Sequence, residues 1–141
     1  MSNIQHGISK CEGNRKRVNE KEKKFDLQER FIDYAVRIIN VSEQLPETKA
    51  GKHIASQILR SGTSSATNYG EAQSAESKAD FIHKLKVALK ELRETEVWLK
   101  IIVRTKLIQP STKLSPLLQE TDELISILFK SIDTAKKEKE R

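Results

Sequence analysis

Residues 78–106, KADFIHKLKVALKELRETEVWLKIIVRTK, decide the fold. At 100° per residue, Phe81, Ile82, Leu85, Ala88, Leu89, Leu92, Leu99 and Val103 share one broad arc, the signature of a helix with a core-facing side. Ser77 is a good N-cap and Asp80 follows three residues later, as in a short-armed capping box. A helix over 78–106 spans about 40 Å at ~1.5 Å per residue, so its neighbours should be long as well.

Working outward, Leu27, Phe31, Tyr34, Ala35, Ile38, Val41 and Leu45 recur every three or four positions and predict a helix over about 26–45, ended by Pro46. A second stripe, Ile54, Ile58, Gly62, Ser65 or Ala66, and Tyr69, predicts a helix over 49–75, although propensity alone favours a loop from Ser61 to Asn68. Downstream, Pro110 stops the long helix. Ser115 can then cap, and Pro116 open, a helix over 115–136 with the stripe Leu117, Thr121, Leu124, Leu128 and Ile132. Four helices with short links and no strand signal predict an all-α, antiparallel up-down-up-down four-helix bundle over residues 25–137.

Composition agrees. The 141 residues suit one domain, and 5% aromatic against 33% charged residues argues against a β sandwich or barrel. A single cysteine, Cys11, excludes a disulfide framework and the usual multi-cysteine zinc sites and fits a reducing cytoplasm. No export signal or membrane span is expected. The net charge of +6 resides in the ends: residues 1–24 carry +4 and 130–141 carry +2, leaving 25–129 neutral. The first 24 residues are expected to be a disordered basic arm and 138–141 a charged tail. Within the neutral body the charge is segregated, −3 over 25–48, +5 over 49–106 and −2 over 107–129, a distribution that suits head-to-tail association.

The long helix carries a second seam, predicted to lie nearly opposite the first: Val87, Glu91, Glu94, Trp98 and Ile101. A monomeric bundle buries one stripe per helix, so this seam is expected to be an oligomer contact; scattered exposed apolar residues are the plain alternative. Gln57, Ser61, Ser64, Asn68 and Glu71 line one side of the second helix, where small and amide side chains fit either a close intramolecular crossing or a subunit contact. Glu96 is predicted to project into the core arc, as a polar anchor needing partners.

Arg60-Ser61-Gly62-Thr63-Ser64, Asn68-Tyr69, Glu71-Ala72, Ala79 to Leu85, Ala88-Leu89-Lys90-Glu91, Arg93-Glu94-Thr95 and Trp98-Leu99 occur in order, and over Phe25 to Ser131 the chain closely resembles the bacterial four-helix-bundle family, the 23S rRNA intervening-sequence proteins. The resemblance implies an antiparallel bundle in a homopentameric ring, with no established reaction. It maps the family's motif positions onto Arg60, Ser61, Ser64, Asn68, Glu71, Glu94 and Glu96 as structural or interface residues. Gly70 departs from the pattern, standing where many members carry a better helix former, so a kink is expected near the end of the second helix. A more distant relative, the accessory variability protein of diversity-generating retroelements, is a basic pentamer that binds nucleic acid and a reverse transcriptase; its body is basic where this one is neutral.

No catalytic residue, metal or cofactor is expected. His6, His53 and His83 are too scattered for a metal cluster, and the Glu-x-x-His pairs of di-iron bundles are missing. The surviving enzyme reading places Glu91-x-x-Glu94 and Glu120-x-x-Glu123 on facing helices to hold Mg²⁺ for nucleotide pyrophosphate hydrolysis. The favoured reading is a ring-forming binding protein making weak, sequence-indifferent contacts to RNA or DNA through Arg15, Lys16, Arg17, Lys21, Lys23 and Lys24, the C-terminal Lys136, Lys137, Lys139 and Arg141, and a basic flank of Lys84, Lys86, Lys90 and Arg93. The competing reading is a scaffold for a protein partner.

Overall fold

The structure, a computed structural model, describes the backbone of residues 19–138 and the side chains of residues 27–138. Four long helices, α1 (Asn19–Gln44), α2 (Lys49–Gln73), α3 (Lys78–Thr105) and α4 (Ser115–Lys137), form an all-α four-helix bundle with no strand among the described residues. A short 3₁₀ turn, Ser111–Leu114, leads into α4. Consecutive helices pack side by side in the antiparallel up-down-up-down order; of the adjacent pairs, α2 and α3 pack most closely and α1 and α4 most loosely.

The predicted boundaries hold within a few residues except at two places. α1 begins at Asn19, so the last part of the stretch read as an arm is helical, while residues 1–18 lie outside the described residues. Ser115 does not cap α4: the 3₁₀ turn feeds the helix directly, Ser115 already has helical φ/ψ, and Leu114 takes the boundary position with Pro116 in the first turn. Ser77 caps α3 as read, its Oγ accepting from the Asp80 N–H at 3.0 Å, and Thr48 caps α2 by accepting from the Gly51 N–H. α3 ends with Lys106 in the left-handed region, φ 58°, its N–H turned back onto the last carbonyls of the helix.

Phe31, Tyr34, Ile38, Ile58, Leu85, Leu92, Leu99, Ile102, Leu124 and Leu128 fill the core. On α4 the whole predicted stripe is buried. On α3 it is displaced. Thr95 and Ile102 are fully buried, whereas Glu96 sits at the edge and its carboxylate lies 3.8 Å from Lys100. The core face is therefore turned by roughly half the spacing between adjacent residues, toward α2. The cause is on α2, where Ser61, Gly62 and Ser65 are buried and offer almost no side-chain bulk, so α3 can roll inward. Gly62 also admits α1: a Cβ there would stand 2.5 Å from Ile38 Cγ2. Gly70 lies in open space and α2 runs unbroken past it to Gln73.

Candidate functional site

The α2/α3 crossing gathers most of the motif residues. Ser61 Oγ and Thr95 Oγ1 lie 2.8 Å apart, both fully buried. Each also lies near a carbonyl of its own helix, Ile58 at 3.4 Å and Glu91 at 2.8 Å; with two protons for three contacts, the hydroxyls bond to each other and one of them donates to its carbonyl. Asn68 donates to the Ser64 carbonyl at 2.8 Å, and Glu71 accepts from Lys84 at 2.9 Å, which raises the lysine's pKa. Of the line from Gln57 to Glu71, Ser61 and Glu71 thus bond across to α3 within the chain, while Asn68 bonds back along α2.

Outside the hydroxyl pair, Arg60 of α2 bridges two carboxylates of α3, donating to Glu91 at 3.0 Å and to Glu94. Trp98 Nε1 also donates to Glu94, at 3.1 Å, and its ring meets His53 edge-on with centroids 5.9 Å apart. Partial burial pushes the Glu94 pKa up, but the hydrogen bonds from Arg60 and Trp98 outweigh it and hold the carboxyl below its ordinary 4.5. Arg60's own bonds, to Glu94 foremost and to Glu91, in turn raise its pKa.

The second seam therefore lies elsewhere than predicted. Val87, Glu91, Glu94, Trp98 and Ile101 are half-buried beside the core, along the edge facing α2, and Trp98 and Ile101 pack against the core itself. The same roll that buries Thr95 and Ile102 draws this edge inward, so much of the apolar surface expected there is covered within the chain.

A second crossing repeats this chemistry. Tyr34 Oη lies 2.7 Å from Thr121 Oγ1 between α1 and α4. Thr121 itself reaches the Leu117 carbonyl at 2.8 Å, leaving the tyrosine as donor to the threonine. Burial pushes the Tyr34 phenol well above its ordinary value. Just outside, Arg30 donates to Glu120 at 2.6 Å and to Glu123 at 3.4 Å. The two Glu-x-x-Glu pairs thus do not face each other: each lies at a different crossing and each carries a guanidinium. Among the described residues no cluster of three or more histidine, cysteine, aspartate or glutamate side chains is placed to hold a metal ion.

Of the proposed basic flank, Lys86, Lys90 and Arg93 stand exposed on the outer face of α3, while Lys84 turns toward Glu71. Lys100 and Arg104 continue that outer face, which the sequence reading missed. Arg15, Lys16 and Arg17 lie outside the described residues, as do Lys139, Arg141 and the side chains of Lys21, Lys23 and Lys24, whose backbone belongs to the first turns of α1. Lys136 and Lys137 end α4, Lys137 lying 3.0 Å from Asp133.

Also missed was the outer face of α1. Ile32, Val36 and Ile39 are 44%, 50% and 39% exposed, and Val97 on α3 is 54% exposed. Their three-and-four spacing on α1 was available in the sequence, but the stronger stripe through Phe31, Tyr34 and Ile38 claimed that helix's one core face. No helix among the described residues is long and apolar enough to cross a membrane.

An antiparallel four-helix bundle whose crossings carry buried hydroxyl pairs and arginine-bridged glutamates defines the class, an all-α helical-bundle protein. Within that class the chain belongs to the 23S rRNA-intervening sequence protein family, whose model matches residues 23–130. It is similar to a crystallised protein of unknown function from the S23 ribosomal protein family of Bacteroides thetaiotaomicron VPI-5482, with 38% identity over 75% of this chain and 97% of that one and a TM-score of 0.70. No curated protein is significantly similar to this chain.

Proposed function

We infer that the protein is a non-catalytic, self-associating bundle of the cytoplasm, whose assembled form binds RNA or DNA through phosphate contacts made by its basic ends. The observation that carries this reading is the apolar row Ile32, Val36 and Ile39 on the outside of α1, which the bundle leaves in water although its core is complete. Contiguous exposed apolar surface on a small domain is favourable to cover, and a second copy is always at hand. The family resemblance implies five copies in a closed ring.

Nucleic-acid contact follows from where the charge lies. The body is neutral and the surplus of +6 sits in residues 1–24 and 130–141, so every added copy adds a pair of basic ends. Weak phosphate contacts then multiply through effective concentration. Trp98, engaged by Glu94 and His53, is poorly placed to stack on bases, so base-specific readout is not expected. The absence of catalysis is supported by the glutamate pairs: the residues best suited to Mg²⁺ already have arginine partners.

Binding of a mixed-sequence RNA should fall steeply with salt and largely vanish when residues 1–24 are deleted. Full affinity in the truncated protein would contradict the role of the arm, and a copurifying partner that survives nuclease digestion would favour a protein scaffold.

A further inference from the structure

Two exposed stripes on different helices match each other residue for residue. On α1 the stripe reads Glu29, Ile32, Val36, Ile39 and Glu43; on α3 it reads Lys90, Arg93, Val97, Lys100 and Arg104. All ten residues are exposed. Both follow the same alternation of three and four residues, the 3.5-residue period that keeps a straight seam along a pair of helices, and both are about 21 Å long at ~1.5 Å per residue. The α1 stripe has an apolar middle and acidic ends; the α3 stripe has one apolar residue at its centre and basic residues on either side.

We propose that the α1 stripe of one copy docks against the α3 stripe of a second copy, with Val36 opposed to Val97. In that register Ile32 and Ile39 fall opposite Arg93 and Lys100, whose aliphatic stems can cover them while their charged heads reach water. The acidic ends Glu29 and Glu43 fall opposite Lys90 and Arg104. The matching is symmetric about the central valine, so it holds whether the two helices run parallel or antiparallel.

The charges also exclude the simpler pairings. Two α1 stripes laid together set glutamate against glutamate at both ends, and two α3 stripes set cation against cation at every position but the central Val97. The contact is therefore heterologous: each copy uses a different surface toward each neighbour, the arrangement that closes into rings or extends into filaments. A phosphate backbone is the other natural occupant of a basic helix face. Val97, 54% exposed in the middle of the row, fits it poorly, because it interrupts the cations where contact is closest.

The inference rests on the self-association proposed above, and sedimentation velocity on the full chain separates the two. Glu29→Lys/Glu43→Lys and Lys90→Glu/Arg104→Glu should each weaken assembly at least tenfold while circular dichroism keeps the wild-type helix content. The quadruple variant, which swaps the charges of both stripes, should regain assembly. Double variants that keep the wild-type mass would overturn the stripe assignment, as would loss of RNA affinity at unchanged mass. Dissociation in both double variants without recovery in the quadruple would overturn the pairing but leave self-association standing. A wild-type protein that is monomeric throughout would overturn both.

Discussion

The α2/α3 and α1/α4 crossings use the same parts at different separations. Each places one buried hydroxyl pair at the contact and one arginine bridging two glutamates at its edge, Ser61–Thr95 with Arg60 and Tyr34–Thr121 with Arg30. Between α2 and α3 the contact is made by small side chains and the helices nearly touch. Between α1 and α4 a tyrosine spans the wider gap to reach its threonine partner. The difference shows that a polar pair can be held at either distance, and that the bulk of one residue sets which distance results.

The largest expected effect comes from adding bulk at the close crossing. Gly62→Val drives its side chain into Ile38 and should destabilise the fold by about 3 kcal/mol in chemical denaturation. At the wide crossing, Thr121→Val keeps the shape but strands the buried Tyr34 hydroxyl, at a cost of roughly 2 kcal/mol. Ser61→Ala should cost less, about 1 kcal/mol, because the Thr95 hydroxyl retains the Glu91 carbonyl. Equal losses for Thr121→Val and Ser61→Ala would show that the two hydroxyl pairs are not distinguished in this way.

These contrasts bear on what could be read in advance. The four helices, the buried α4 stripe and the Ser77 cap follow from apolar spacing and one hydroxyl residue. The roll of α3 did not, because periodicity assigns Thr95 to the polar set, and only the neighbouring Ser61 and Gly62 make its burial favourable. That roll moved Glu96 out of the core and drew Trp98 toward it. The arginine bridges at the crossings were equally hidden, since pairs such as Arg30 and Glu120 are separated by 90 positions in the chain. Gly70 misled differently: its sequence suggests weakness, but the helix around it is regular.

Gly70→Ala should therefore stabilise the protein by about 0.5–1 kcal/mol, the opposite sign to the change at Gly62. The smallest effect is expected at the rim. Glu94 has its pKa lowered in the folded state, so its contribution is complete above about 4.5 and disappears as the pH falls through the lowered value. With Glu94 33% and Arg60 49% exposed, Arg60→Ala should cost no more than about 1 kcal/mol, and the cost should shrink upon acidification. A difference between wild type and variant that grew at lower pH would contradict the assigned bridge.

The account depends most on the apolar row outside α1, and the mass of the full chain in dilute solution tests it directly. Sedimentation equilibrium should give a particle several times the 16.1 kDa of one chain, and Val36→Glu should reduce it to the single-chain mass with its helices intact. A wild-type particle of 16.1 kDa at every concentration, or a Val36→Glu protein that assembles as the wild type does, would contradict it.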